Sequence, residues 1–162
     1  MAARHRQAKK ALRSLPLSPV ECGECRSAAE LVNGAAIYPH RRDLALKSFW
    51  RCTSCSAYVG CHPGTQRPLG TPCGPVTRAA RSAAHAAFDP LWKLKIQRER
   101  VAKHEARGAG YRWLAAQLGI EPTACHIGHM DAATARRVVE ICAAARRGQP
   151  QTPPAPITES QE

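Results

Sequence analysis

The chain has 162 residues and a formal net charge of +12, because 24 Lys and Arg residues face only 12 Asp and Glu residues. Alanine supplies 29 of its 71 hydrophobic residues, whereas Leu, Ile, Val and Phe together total 26. So few bulky apolar side chains exclude one large core and indicate that something besides burial orders part of the chain. No apolar run approaches the roughly 18 residues of a membrane span. The start also lacks the apolar stretch of a secretory signal, so we expect a cytoplasmic protein with no membrane partner.

The first predicted part of the chain is a basic arm, residues 1–19, with five Lys and Arg residues and no acidic one. Pro16 and Pro19 end any helix that starts there, because proline lacks a backbone N–H and fixes φ. We expect this arm to be disordered and to add positive charge to the folded part that follows it.

Residues 20–77 contain two closely spaced cysteine pairs, Cys22 with Cys25 and Cys52 with Cys55, separated by 26 residues. A two-residue spacing lets one tight turn present two thiolates to one ion, and two such turns complete a tetrahedral shell. A reducing compartment favours zinc over disulfides at such a site. We therefore predict one structural Zn²⁺, and a shell closed by four thiolates leaves no open position for catalysis.

The sequence around these cysteines predicts two β-hairpins. Ala29–Val32 and Ala35–Tyr38 flank an Asn-Gly dipeptide, which favours a two-residue hairpin turn. Ser48–Arg51 leads into the second cysteine pair and Ala57–His62 leads out of it, which predicts a second hairpin with the metal turn at its tip. The segment is therefore predicted to be a small zinc ribbon.

Residues 78–148 are predicted to form a basic region of about four helices. In chain order they are Arg78–Phe88, Pro90–Arg107, Tyr111–Leu118 and Asp131–Arg147. Asp89 followed by Pro90 indicates the start of the second helix, because proline is favoured at the first helical position. Gly108 and Gly110 are predicted to end that helix, and Asp131 to cap the last one.

Residues 149–162 are rich in proline and polar residues, which predicts a disordered tail. The expected fold class is therefore α+β. It consists of a small four-cysteine zinc ribbon with two β-hairpins, followed by about four α-helices that pack on it or on one another.

The strings IYPHR, FWRCTSCSAYVGCH and FDPLW lie in a stretch of roughly residues 20–142 that resembles a zinc-finger-containing family of unknown function, found mostly in bacteriophages and prophages. The resemblance implies that the four cysteines of the two pairs are the zinc ligands and that the setting is a bacterial host cell. It implies no activity. Cys73 stands where the family pattern has another residue, which argues against it as a ligand. The hairpins also look like the zinc ribbons appended to type I topoisomerases, a nucleic-acid-binding analogy.

The positive charge makes nucleic acid, DNA or RNA, the expected partner. The isoelectric point is near 9.9, and Arg outnumbers Lys by 18 to 6. The planar guanidinium of Arg suits bidentate phosphate contacts and base stacking. The candidate phosphate contacts are Arg41, Arg42, Arg51, Arg78 and Arg81. Trp50 is the candidate stacking platform for a base.

Two other functions remain open. A zinc ribbon is also a rigid surface for a protein partner, so an interaction module that targets a host or phage protein is the first alternative. The string CHIGHMD, with His126, His129 and Asp131, is the basis of a second alternative, a metal-dependent nuclease, although a turn followed by a helix cap is the simpler interpretation. No phosphate-binding loop or nucleophile elbow supports an enzyme. We interpret Cys61 as a buried strand residue and His62 as a surface residue, with a substitute zinc ligand as the alternative.

Overall fold

The computed structural model describes residues 19–148, which belong to two compact units with the chain boundary between Pro75 and Val76. The first unit contains three β-strands and the second contains three α-helices. The α+β class is therefore confirmed, with three helices in place of about four. The basic arm, apart from its last residue, and the proline-rich tail lie outside the described residues.

One antiparallel sheet, in the order β1-β2-β3, forms the framework of the first unit, which we call the ribbon. Its strands are β1 (Ala29–Asn33), β2 (Ser48–Cys52) and β3 (Tyr58–Gly60). The strands β2 and β3 form the predicted second hairpin, and the second cysteine pair lies at its turn. The strand β2 also pairs with β1, where Leu31 lies opposite Trp50 and Val32 lies opposite Phe49.

The prediction of a hairpin at Asn33 was wrong. Asn33 has a φ of −84°, and its side chain accepts a hydrogen bond from the Ala36 N–H at 3.2 Å, so it caps a short 3₁₀ turn. The chain then makes a long connection, residues 34–47, before it enters β2. A Cβ atom on Gly34 would lie 1.8 Å from the carbonyl oxygen of Leu44. Glycine is needed here because the connection returns close to its own start, rather than for a two-residue turn.

Aromatic rings join the long connection to the sheet. Tyr38, Phe49 and Tyr58 pack edge-on, with ring centroids 5.6 to 6.2 Å apart, and the two tyrosine hydroxyls form a 2.6 Å hydrogen bond. The indole N–H of Trp50 donates to the carbonyl oxygen of Gln66 at 2.7 Å. Because neighbouring strand residues point to opposite faces, these contacts tie a segment of the chain to each face of β2.

The second unit, which we call the helical unit, consists of α1 (Pro75–Glu99), α2 (Lys103–Leu118) and α3 (Ala132–Arg146). Among residues 19–148, none of the helices combines the length and the apolar composition that crossing a bilayer requires. Burial of one face of each helix produces a single core, whose fully buried large side chains include Phe88, Leu114, Ile127 and Val138. The helical unit therefore has a hydrophobic core of its own.

The helix boundaries differ from two of the predictions. The helix α1 runs through Pro90, and the chain breaks instead at residues 100–102, where Arg100 has a φ of +54°. The helix α2 runs through both predicted stop glycines. A Cβ atom on Gly110 would lie 3.1 Å from Phe88 Cζ and 3.3 Å from Trp92 Cβ, so glycine lets α2 approach α1 closely. The missing side chain serves helix packing rather than helix termination.

The start of α3 agrees with the sequence. The Asp131 carboxylate accepts the backbone N–H of Thr134 at 2.7 Å, which satisfies one of the unpaired donors of the first turn. One face of α3 is buried in the core through Ala135, Val138 and Cys142. The prediction that Asp131 caps the last helix is confirmed.

Candidate metal centre

Four thiols from two turns of the ribbon converge on one point. The Sγ atoms of Cys22, Cys25, Cys52 and Cys55 all lie within 4.8 Å of one another, and three of the pairs lie 3.5 to 3.6 Å apart. These distances exceed a disulfide bond of about 2.05 Å and approach the spacing of about 3.8 Å between sulfurs in a tetrahedral zinc shell. The donor set and its spacing fit a single structural zinc ion.

The two cysteine turns are closed by equivalent backbone hydrogen bonds. The N–H of Cys22 donates to the carbonyl oxygen of Ser27 at 2.9 Å, and the N–H of Cys52 donates to that of Ala57 at 2.7 Å. Each bond spans five residues and encloses one cysteine pair. The chain therefore builds the same turn twice, once before β1 and once between β2 and β3.

Each turn also contains a residue in the left-handed conformation directly after its second cysteine. Arg26 has a φ of +65° and Ser56 has a φ of +59°. This region costs a residue with a side chain roughly 1 kcal/mol, and glycine usually occupies it. Both turns thus hold a conformation that local propensity disfavours, in the same place relative to the thiols.

Backbone N–H groups point at the first thiol of each turn. The Glu24 N–H lies 3.3 Å from Cys22 Sγ, while the N–H groups of Ser54 and Cys55 lie 3.4 and 3.5 Å from Cys52 Sγ. Hydrogen bonds to an ionised acceptor are stronger than those to a neutral one. The turns are therefore arranged to favour thiolates, which are the form of cysteine that binds zinc.

The electrostatics of the cluster favour a cation at its centre. Hydrogen bonds from the side chain and backbone of Ser27, followed by those from Cys52 and Cys55, lower the pKa of Cys25 to about 6. At Cys55 the backbone hydrogen bond from Ala57 favours the thiolate, but desolvation and the neighbouring cysteines outweigh it and raise the pKa to about 12. Four thiolates this close together repel one another, so they need a compensating positive charge.

The remaining four cysteines lie outside this cluster. Cys61 is half-buried and follows the end of β3, so it is not the buried strand residue that we expected, and burial raises its pKa. His62 is exposed, as expected, and neither residue belongs to the four-cysteine group. Cys73 is buried beside β3. Cys125 and Cys142 pack in the helical core, where burial raises the pKa of each to about 11. These four cysteines contribute to packing and lie outside the metal centre.

The histidines of the CHIGHMD string take part in hydrogen bonding and packing within the helical unit. His126 Nδ1 accepts the backbone N–H of Gly128 at 3.1 Å, and Asp131 caps α3. Burial, together with the charge of Arg81, lowers the pKa of His129. Within residues 19–148, the four-cysteine cluster is the only group of side chains spaced to hold a metal ion. The cap interpretation of Asp131 is confirmed.

Two of the three ribbon arginines singled out as phosphate contacts already face a carboxylate. Arg41 makes a bidentate pair with Asp43 at 2.8 and 2.7 Å, and this hydrogen bonding lowers the pKa of Asp43. Arg51 pairs with Glu30 across the sheet at 2.6 Å. Exposed pairs of this kind contribute little to stability, because solvent screens them, but they cancel charge locally. Arg42 is exposed and makes no ion pair with another residue of the described range.

The other three predicted contact residues are less open to a ligand. Trp50 is half-buried, and Gln66 accepts its indole N–H. Arg78 is half-buried on α1. Arg81 is only 8% exposed, and its Nε donates to the carbonyl oxygen of Met130 at 2.7 Å. Arg81 therefore has a structural place inside the helical unit, which removes it from the phosphate-binding surface that we propose below.

The fold and the cysteine cluster define a small zinc-finger protein that also contains a helical unit. Residues 18–145 match the zinc-finger-containing domain family DUF3268, a family of unknown function. Because this match covers most of the chain, the protein belongs to that family, and the family resemblance read from the sequence strings is confirmed as far as the zinc finger. No curated protein and no solved structure shows significant similarity to the chain. Family membership and geometry together indicate that the protein binds zinc.

Proposed function

We propose that this protein is a nucleic-acid-binding accessory protein in which zinc orders the ribbon and the helical unit contacts phosphate. The proposal includes the phage or prophage setting that the resemblance implies, and therefore the cytoplasm of a bacterial host. It includes no catalytic step, because a zinc ion enclosed by four thiolates has no position left for a reacting water.

The observation that carries the proposal is the uneven division of charge between the two units. Residues 76–148 contain 13 Lys and Arg against six Asp and Glu, a net charge of +7, whereas residues 19–75 contain six against four, a net charge of +2. Four zinc-bound thiolates and their ion add a further −2 or so to the ribbon. The zinc-loaded ribbon is therefore close to neutral, and the positive charge of the described residues lies on the helices.

Seven basic side chains of the helical unit are exposed and make neither an ion pair nor a hydrogen bond with another described residue. They are Lys93, Arg98, Arg100, Lys103, Arg112, Arg136 and Arg137. Three of them, Arg98, Arg100 and Lys103, fall around the break between α1 and α2, and we call these three the break cluster. Unpaired cations release counterions from a nucleic acid when they neutralise its phosphates, which is the main source of sequence-independent affinity.

The test is a titration of labelled DNA and RNA, single-stranded and duplex, across a series of salt concentrations. We expect log K to fall linearly with log salt, with a slope of about 0.9 for each phosphate contacted on duplex DNA. Replacing the break cluster by glutamine is expected to weaken binding by about tenfold or more and to reduce the slope by up to about 2.7.

The matched control replaces the two paired ribbon arginines, Arg41→Gln with Arg51→Gln. This variant removes nearly as much formal charge from the chain, yet both side chains already face a carboxylate, so binding is expected to stay within about twofold of the parent. A salt-independent affinity, or a larger loss in the ribbon variant than in the break-cluster variant, would contradict the proposal.

The second candidate function is a module that binds a host or phage protein. An apolar cleft in the ribbon, the unit that carries little net charge, favours it.

A further inference from the structure

The ribbon contains an open cleft of about 1000 Å³ between the 34–47 connection and the loop that follows β3, residues 61–69. The strands contribute Phe49 and Gly60 to its lining. Because Gly60 has no side chain, the cleft reaches the ring of Phe49; a Cβ atom there would lie 3.6 Å from Phe49 Cε1 and 3.7 Å from Leu69 Cδ1. A cleft of this volume has room for side chains of a partner.

Aliphatic side chains stand on both sides of this cleft. Leu44 and Leu46 line it from the connection, and Leu69 lines it from the loop. Leu46 is 98% exposed and Leu69 is 47% exposed. Single exposed leucines are common on protein surfaces, but several that border one concave surface mark an interaction site.

The cleft has a basic lining. Lys47 and the imidazole of His62 line it, and no Asp or Glu of residues 19–148 does so. Asp43, which lies close in sequence, is already paired with Arg41. A ligand that complements these walls therefore carries carboxylates beside apolar side chains.

The aromatic rings of the cleft favour a protein segment over a nucleic acid. Phe49 is only 8% exposed, and Tyr38 and Tyr58 pack against it edge-on at centroid distances of 5.8 and 6.2 Å. Base recognition on a single strand uses open aromatic faces, which this buried ring does not offer. Leucine walls fit the aliphatic side chains of a peptide instead.

We infer that this cleft is the docking site for an extended segment of a partner protein, with leucine-like side chains flanked by carboxylates. The inference goes beyond the proposed function, because the docking site lies on the ribbon while the phosphate contacts lie on the helical unit. With both sites, one chain links a nucleic acid to a protein.

The direct test uses the full-length zinc-loaded protein and a short fluorescein-labelled peptide of alternating glutamate and leucine. We expect saturable binding by fluorescence anisotropy. Two matched peptides separate the contributions: alternating glutamate and serine keeps the charge, and alternating lysine and leucine keeps the apolar side chains. Both are expected to bind at least about tenfold more weakly, because the cleft needs carboxylates and apolar groups together.

Variants locate the binding to the cleft. Leu46→Ser is expected to weaken binding of the glutamate–leucine peptide by about tenfold, and its exposed position makes an effect on folding small. Gly60→Leu places a side chain in the cleft and is expected to weaken binding at least as much. The control is Leu94→Ser, which changes a leucine on α1 that is 40% exposed and is expected to bind like the parent. Zinc content per chain confirms that each variant is folded around its metal.

Four results would overturn the inference. The first is no saturable binding of the glutamate–leucine peptide at millimolar concentration, and the second is equal binding of the glutamate–serine peptide. In the third, Leu46→Ser weakens the binding of an oligothymidylate strand instead, which makes the cleft a nucleic-acid site. In the fourth, the parent protein sediments as a dimer and Leu46→Ser as a monomer, which makes the cleft a self-association surface. Failure of salt-dependent DNA binding alone would leave this inference standing and contradict only the proposed function.

Discussion

Cys25 Sγ lies 3.5 Å from Cys52 Sγ, although the two residues are 27 positions apart in the chain. The buried apolar cluster around the cysteine turns is small and comprises Cys22, Cys52 and Ala57. The helical unit, by contrast, has a continuous core of 14 buried residues. The two cysteine turns are therefore held together by what their thiols bind, whereas apolar burial holds the helices together.

Removal of zinc is expected to unfold the ribbon and leave the helical unit folded. A structural zinc site contributes roughly 10–16 kcal/mol of apparent binding free energy, which the small cluster around the turns does not replace. In NMR spectra of a uniformly labelled chain, a strong chelator should collapse the amide signals of residues 19–75 and preserve those of residues 76–148. Cooperative loss of both sets of signals, or survival of both, would contradict this division.

Gly34→Ala is expected to destabilise the ribbon by more than about 2 kcal/mol, because the new Cβ atom collides with a backbone carbonyl. The nearest atom, the Leu44 oxygen, lies 1.8 Å from the ideal Cβ position. Gly74→Ala is the matched control, since its nearest neighbour, Glu24 Oε1, lies 3.6 Å away. Thermal unfolding of the zinc-loaded variants measures the difference. Equal melting of the two variants would show that the connection does not return over Gly34.

Ser56→Gly is expected to stabilise the zinc-bound ribbon by at most about 1 kcal/mol, because glycine relieves the left-handed strain and gives back part of the gain as chain entropy. Ser56→Val is expected to lose more than about 1 kcal/mol, because a β-branched residue tolerates this conformation poorly. Competition with a chelator measures both changes as zinc affinity. Ser54→Gly, in the same turn without a positive φ, is the control and should gain nothing. A higher zinc affinity for Ser56→Val than for Ser56→Gly would contradict the strained turn.

Asp131→Ala is expected to destabilise the helical unit by about 1 kcal/mol at neutral pH, because α3 loses its cap. Asp131→Asn retains a capping oxygen and should stay within a few tenths of a kcal/mol of the parent. Urea unfolding of the three proteins, followed by helical circular dichroism, measures the differences. An alanine variant as stable as the asparagine variant would contradict the role of the cap.

The same cap predicts a pH dependence with a definite sign. The backbone hydrogen bond from Thr134 lowers the pKa of Asp131 in the folded chain. Folding therefore favours the ionised carboxylate, so its contribution is complete above the unfolded pKa of about 3.9 and is lost as the pH falls through the lower, folded value. The stability difference between the parent and Asp131→Ala should shrink over that acidic range. A difference that grows with acidity would contradict the assignment.

The metal site could be predicted from sequence because it depends on local spacing. Two residues between cysteines suffice for one turn to present both thiols, whatever the rest of the chain does. The second hairpin was also local, since its strands flank one such turn. The pairing of β1 with β2, however, crosses a 14-residue connection whose path no local pattern specifies.

The misplaced boundaries share a physical cause. Gly34 and Gly110 were interpreted as a turn and a helix stop, which are local roles for glycine. In the structure each glycine makes room for a distant segment, the carbonyl of Leu44 in one case and the side chains of Phe88 and Trp92 in the other. Such close approaches depend on the tertiary structure, so local propensity alone does not distinguish these glycines from turn glycines.

The net charge did not predict which individual arginines are paired or buried. Net charge identified the chain as basic, but the pairing of Arg51 with Glu30 depends on strand register, and the bond from Arg81 to Met130 depends on a turn 49 residues further along. The exposed basic side chains of the helices were visible in the sequence as a charge excess. Only the structure separates them from those that are paired or buried.

The central claim, one structural zinc ion held by two cysteine turns, is tested most directly by native mass spectrometry of the purified chain and two matched variants. We predict one zinc per chain in the parent and in Cys61→Ser, whose thiol lies outside the cluster, and none retained at equal free zinc in Cys25→Ser. A folded parent without zinc, or loss of the metal in Cys61→Ser and not in Cys25→Ser, would contradict the account.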